Sequence, residues 1–220
     1  MKACFASLLL AASMLTGAFT ISSVAFGRDD SGAVDVDSSA DGSLPTINEN
    51  WYMLWGLGLA HLTYNSEMQS AVDTLEDMPG IETFSGTYDL FGFYWPLADH
   101  KTMLGFVVNG SSQSWENKNA RLRISHETYS FSAHHFWGPN IGSGWFARGD
   151  VGFSKAREVQ HLGTQTVSLD SGTGFGILVG GGYGFALGRE TRLLLNLNYS
   201  RRQIDSFVAN TLGLSVGFLF

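Results

Sequence analysis

The sequence predicts an all-β chain, an eight-stranded antiparallel up-and-down transmembrane β-barrel. Three observations predict it. Large apolar residues recur at every second position in eight separate segments between Trp51 and Phe220. The faces opposite them are built mainly from Gly, Ser, Thr and Asn rather than the Lys and Glu of a solvated sheet. The gaps between segments alternate long and short except for the last.

Composition narrows the classes first. The chain has 220 residues, of which 15% are charged, 44% hydrophobic and 13% aromatic, a length suited to one domain with a tail. Its 16 Phe, 7 Tyr and 6 Trp are too many for a disordered coil, and a single Cys excludes a disulfide scaffold. A formal charge of −7 argues against a nucleic-acid partner.

Residues 1–25 read as a secretory signal peptide: Lys2 precedes an uncharged run from Phe5 to Ile21, and Ser23-Val24-Ala25 supplies small residues for cleavage. Removing it would remove Cys4, the only Cys. Residues 26–50 read as a disordered acidic leader, from Arg28-Asp29-Asp30 through Asp41-Gly42, with too few apolar side chains to offset chain entropy. The barrel is expected to occupy 51–220.

Each strand then follows in order. Trp51, Met53, Trp55, Leu57 and Leu59 alternate with Gly56, Gly58 and Ala60; Phe91, Phe93, Trp95 and Leu97 with Gly92 and Tyr94. Leu104, Phe106 and Val108 alternate with Gly105 and Asn109, and Tyr129, Phe131, Ala133 and Trp137 with Thr128, Ser130, Ser132 and His134. Trp145, Ala147, Val151 and Phe153 alternate with Arg148, Asp150 and Ser154. The segment from Thr173 to Leu187 is the clearest. It lies in a stretch, Ser171–Gly188, with no charge, but eight of those 18 residues are Gly, each costing a helix roughly 0.8–1 kcal/mol against Ala. A strand is favoured over a membrane helix. The last two segments are Thr191 to Ile204 and Val208 to Phe220. Long connections are expected at 65–83, 113–125 and 158–172, with Ser66 to Met78 able to form a short amphipathic helix and Trp115 exposed in the second. Short ones fall at 98–101, 138–143, 188–190 and 205–207, with turn chemistry such as Asp99-His100-Lys101 and Gly138-Pro139-Asn140.

A face of Gly and small polar residues suits the narrow inside of an eight-stranded barrel, which leaves the aromatic face to hydrocarbon. Trp51, Trp55, Trp95, Trp137, Trp145 and Phe218 are then expected in an interfacial aromatic girdle. Parity sends Arg148, Asp150, Arg192, Arg202, His134, Asn196 and Asn198 to the lumen, with Arg148 and Asp150 neighbours and Arg192 able to join them. Two readings of that cluster stand: a salt-bridged plug, or a narrow polar pathway for water or small solutes, which the Gly-lined face from Thr173 onward would favour.

With these features the chain resembles the small eight-stranded outer-membrane β-barrels, the OmpA/OmpX-like group of Gram-negative bacteria. The ending Gly213-Leu214-Ser215-Val216-Gly217-Phe218-Leu219-Phe220 resembles the signal read by the barrel-assembly machinery, with Phe218 and Phe220 its aromatic positions. The resemblance implies a cell outer membrane location, contact with outer-membrane lipid and lipopolysaccharide, and no cofactor.

Some barrels of this kind act on lipid A or phospholipid acyl chains, which requires Ser, His and a carboxylate in contact. The one cluster worth weighing is His126, Glu127, Ser130, Ser132, His134 and His135. His126 and Ser130 share a face about 13 Å apart, and Ser132 and His134 about 7 Å apart, beyond hydrogen-bond reach. His134 and His135 point to opposite faces, which disfavours a metal site there. The expected role is therefore non-enzymatic: envelope structure or surface interaction, with the acidic loop 65–83 and the basic loop 113–125 as contact surfaces. The alternatives are a narrow polar channel and, remotely, a lipid-modifying enzyme.

Overall fold

The computed structural model describes residues 50–117, 120–162, 165–187, 190–205 and 207–220. The expected signal peptide and all but Asn50 of the acidic leader lie outside the described residues. Eight strands follow in order: β1 (Tyr52–Tyr64), β2 (Glu82–Pro96), β3 (Thr102–Asn117), β4 (Ala120–Phe136), β5 (Gly144–Leu162), β6 (Gln165–Ala186), β7 (Arg192–Ile204) and β8 (Phe207–Leu219). A helix, α1 (Ser66–Glu76), stands between β1 and β2.

Every strand pairs with the next, and β8 pairs antiparallel with β1, so the sheet closes on itself. At the seam the terminal residue completes the ladder: Met53 N donates to Phe220 O (2.6 Å) and Phe220 N to Met53 O (3.1 Å). Closure removes the sheet edges from the apolar zone, where an unpaired amide would find no water.

The period-two pattern sets the two faces. Leu57 and Phe153, each 70% exposed, mark an outside that also carries Leu59, Phe106, Phe131, Val151, Ile177, Leu197 and Leu214. This inverts a soluble barrel, and it is the surface a bilayer requires. Trp51, Trp55, Trp95, Trp137, Trp145 and Phe218 are all exposed and all lie near the end of the barrel that holds the short turns. Trp51 stacks on Phe93 at 5.1 Å, Phe93 meets Trp95 at 5.0 Å, and Trp145 meets Tyr183 at 5.3 Å. The opposite limit of the apolar band is marked by Tyr129, Phe153, Phe175 and Tyr199. From Trp145 to Phe153 the strand climbs about 27 Å before tilt, enough for a barrel's apolar band.

Beyond that band the structure corrects the expected loops. Residues 113–125 are not a loop: the β3–β4 ladder runs unbroken from Thr102↔His135 to Asn117↔Ala120. Residues 158–172 also belong to strands, with β5 and β6 paired as far as Leu162↔Gln165. Trp115, expected on the surface, is only 2% exposed. The reason is that polarity inverts above the membrane while the period stays at two. There the outside meets water, so Arg121 and Arg123 point out while Leu122, Ile124 and Trp115 point in. An eye set for apolar-outward alternation takes such a segment for a charged loop.

In the first connection α1 forms close to the expected span. Asn65 precedes it, and its apolar side, Met68, Val72 and Leu75, packs over the barrel mouth on Leu62, Tyr64, Trp115, Leu122 and Ile124. It is a lid on this end.

At the turn end, Asp99 organises the β2–β3 reversal. Its carboxylate accepts Thr102 Oγ1 (2.6 Å), Lys101 N (3.0 Å) and Thr102 N (2.9 Å), an arrangement that accompanies His100 at φ 51°. These bonds, the Thr102 hydroxyl foremost, hold its pKa down to about 2 from the ordinary 3.8. A depressed carboxylate stabilises the fold fully above its unfolded value, and that contribution is lost as pH falls from about 4 through 2. Carboxyl NMR titration is expected to show a midpoint near 2. In Asp99→Asn the acid-dependent loosening of this turn should disappear.

Candidate functional site

The lumen is where the sequence concentrates unusual side chains. Arg148, Asp150, Arg192, Arg202, His134, Asn196 and Asn198 are all buried inside the barrel. Their arrangement forms two linked centres and a distant third group.

The first centre is built on Arg148 of β5. Its guanidinium grips Asp89 end-on, Nη1 to Oδ2 and Nη2 to Oδ1 at 2.7 Å each. It also donates to Asp150, with Nη2 to Oδ2 at 2.6 Å and Nε to Oδ1 at 3.0 Å. Asp150 further accepts Ser132 Oγ (2.6 Å) and Asn109 Nδ2 (2.9 Å), and Tyr94 OH donates to Ser132 Oγ (3.0 Å). Bidentate, charge-assisted bonds of this kind are the strong ones.

The second centre is Arg202 of β7. Its Nη2 donates to Asn109 Oδ1 (2.9 Å), so Asn109 bridges the two centres. Its Nε reaches Thr128 Oγ1 (2.8 Å) and its Nη1 reaches Ser200 Oγ (2.8 Å) and Ser111 Oγ (3.2 Å). Two carboxylates surround Arg148, while the second guanidinium is met by hydroxyl and amide oxygens. The linked network therefore carries formal charges that balance.

Arg192 does not join this network as expected. It is level with Ala186, whereas Arg148 is level with Gly180, six residues along β6 and roughly 20 Å away by strand rise. Its Nη1 donates to Thr191 O (3.3 Å) at the turn end. Asn196 donates from Nδ2 to Leu194 O (3.3 Å).

Asp89 is the member that sequence reasoning missed. Against both neighbours β2 carries one extra residue, between Asp89 and Gly92 facing β1 and between Leu90 and Phe93 facing β3, with Phe91 at φ 53°. That bulge shifts parity, so Gly92, Tyr94 and Asp89 all face inward although 92 and 89 differ by an odd number. A lone Asp within the run Tyr88–Trp95, with a Gly three residues on, was the available signal.

The Gly face of β6 is not open space. A Cβ on Gly180 would lie 2.0 Å from Asn198 Oδ1, and one on Gly176 would lie 2.3 Å from Ser154 Oγ. The polar neighbours fill what the glycines leave. Above and below, the network is closed by apolar side chains: Tyr52, Leu54, Met103, Phe136, Phe146 and Leu194 at the turn end, and the cluster beneath α1 at the other.

Acyl-transfer geometry does not form in the cluster weighed for it. Ser132 gives its proton to Asp150 rather than to a His, and Ser130 Oγ accepts from Asn109 Nδ2 (2.9 Å). His134 is packed among Tyr94, Phe136 and Phe146, and His126 between Tyr64 and Phe207, with no hydrogen-bond partner among the described residues at any of their ring nitrogens. His135 points outward against Trp137 (5.4 Å). Among the described residues no three His, Cys, Asp or Glu side chains converge as a metal site requires.

Breaking one side of a buried ion pair costs about 3–5 kcal/mol because the other side is left uncompensated. Arg148→Met should lower the urea stability of the barrel in micelles by that order. The combined Arg148→Met, Asp89→Asn variant, which leaves Asp150 linked through Asn109 to Arg202 and the network neutral, should recover most of the loss, and equal losses in both would show that charge balance is not what the cluster provides.

No protein-family model matches the chain, and neither does any curated protein. Among solved structures the chain is similar to Ail, the attachment invasion locus protein of Yersinia pestis, at 10% identity over 78% of this chain and 100% of that one, TM-score 0.49. It is similar to neisserial surface protein A at 16% identity, 78% and 96% coverage and TM-score 0.44. It is also similar to the N-terminal β-barrel domain of Pseudomonas aeruginosa OprF, at 14% identity, 78% and 98% coverage and TM-score 0.37. By its own strand order, closure and apolar belt, the chain has the architecture of a small eight-stranded outer-membrane β-barrel.

Proposed function

We propose that this protein is a non-enzymatic outer-membrane barrel that presents a rigid sheet edge at the cell surface for interaction with a partner, and that it does not conduct. One observation carries the reading. About 9–11 tilted residues cross a membrane, and β7 and β8 have 13 each, but β5 has 19 and β6 has 22. The strands from β2 to β6 therefore rise past β7 as a wall. Pairing of β6 with β7 begins only at Phe175↔Gln203, whereas pairing with β5 continues to Leu162↔Gln165.

Among the described residues no strand covers the other edge of Gln165–Thr173. Open edges are templates for added strands, and proteins usually guard them with Lys, Pro or brevity. This one reads Gln165-Thr166-Val167-Ser168-Leu169, with Val167 and Leu169 exposed. The sealed lumen supports a surface role over the channel alternative, and the diverted Ser132 supports it over the enzyme. Insertion through the barrel-assembly machinery, with Phe218 and Phe220 outward beside the β1–β8 seam, belongs to the same proposal.

Two measurements test it. Planar bilayers carrying the protein should show no discrete conductance steps, and reproducible steps would reinstate the channel. In hydrogen exchange, alternate amides of 165–173 should exchange far faster than those of β4 at the same height. Uniform protection along 165–173 would mean that the edge is already covered and would sink the reading.

A further inference from the structure

At the foot of the open edge lies a groove of about 420 Å³, within the size range of sites that take a small ligand or a few peptide side chains. A second bulge makes room for it. Pairing of β5 with β6 steps from Lys155↔Thr173 to Arg157↔Asp170, so Ser171 and Gly172 together face Ala156. Ser171 Oγ accepts Ala156 N (2.8 Å), and Asp205, in the turn between β7 and β8 at φ 48°, accepts Gly172 N (2.9 Å).

The groove's floor is apolar: Met68 of α1, Ile124, Ala156, Leu169 and Phe207. Its charged rim is mostly acidic. Arg157 is bound to Asp170 at 2.7 Å, which leaves Glu67, Glu158 and Asp205 without a cation among the lining residues. Leu169 and Asp170 belong both to the groove and to the open edge, so the two surfaces are continuous.

We propose that this groove docks an extended segment of a partner protein in which an apolar side chain is flanked by Lys or Arg. The proposal rests on the surface-interaction reading above and names its chemistry. An extended segment pairing with the free edge of β6 places every second side chain on one face. One apolar side chain then reaches the floor, and cations two residues away on either side meet Glu67, Glu158 and Asp205. The other occupants fit less well. The chain's own leader is acidic and joins the barrel at the turn end, opposite the groove. Lipopolysaccharide phosphates and a second copy's rim carry the same sign as this one.

The test uses the folded protein in zwitterionic micelles, with empty micelles as baseline. The probes are fluorescein-labelled Thr-Lys-Val-Leu-Val-Lys-Thr and the same peptide with Glu in place of Lys. Fluorescence anisotropy should show saturable binding of the Lys peptide, weakened by salt, and at least ten-fold weaker binding of the Glu peptide. The combined Glu67→Gln, Glu158→Gln, Asp205→Asn variant should lose at least ten-fold and most of the salt dependence. Leu169→Ser should weaken binding with the salt dependence retained. Folding of each variant is checked by its gel shift on boiling. Equal binding of the two peptides, no binding of the Lys peptide, or an unaffected triple variant would overturn the proposal. Dimers in sedimentation that compete with the peptide would reassign the groove to a second copy and overturn it as well. In each of these cases the open-edge reading survives if the amides of 165–173 exchange freely, and it fails separately if they do not.

Discussion

Hydrocarbon offers a peptide group no hydrogen-bond partner, and the rest of this structure follows from that constraint. Within the apolar band every strand must be paired on both sides, so β8 must return to β1, and even Phe220 is drawn into the ladder with Met53. Once closed, the sheet has one narrow interior and one outer face. Side chains are sorted between them by parity alone. Around the mid-level of the band large apolar groups go out to lipid, glycines and polar residues go in, and the interior takes large apolar side chains only towards its two ends.

The interior then poses its own electrostatic problem. Three arginines are buried there, and a guanidinium cannot discard its charge. Arg148 is resolved by two carboxylates, and Arg202 by hydroxyl and amide oxygens together with Asn109, which ties it to Asp150. A network bonded this densely between two apolar plugs is a strut.

Much of this was legible in the residues. The strand from Thr173 on, with Phe175, Ile177 and Val179 opposite glycines, could hardly be read otherwise, and the inward set Arg148, Asp150, Arg202 and Asn198 followed from parity. What was not legible has two physical causes. Parity arguments assume an unbroken ladder, and the extra residue at Phe91 breaks it, so Asp89 was invisible as Arg148's partner. Polarity arguments assume one solvent, and the outside of this barrel meets two. Leu122 and Ile124 inward with Arg121 and Arg123 outward is a strand in water, and Trp115 looked exposed only because its segment was measured against lipid. The groove escaped for a related reason: it is made by residues from α1, four strands and a turn, none of which announces the others.

The two bulges divide the labour of the molecule between them. A regular barrel would have a symmetric lumen and a level rim. The bulge at Phe91 turns Asp89 inward and completes the balance that keeps Arg148 buried, so it serves the closed interior. The bulge at Ser171 and Gly172 lies above the band, where no burial demands it, and it is held in place by Ser171 Oγ on the facing Ala156 N and by Asp205 on Gly172 N. Through Asp205 it fastens the wall to the β7–β8 turn at the point where β6 loses its partner. A sheet that needed only to seal itself would end β6 level with β7. Carrying it on from Thr173 to Gln165, without Lys or Pro and beside an acidic, apolar-floored groove, is what the proposed contact surface requires.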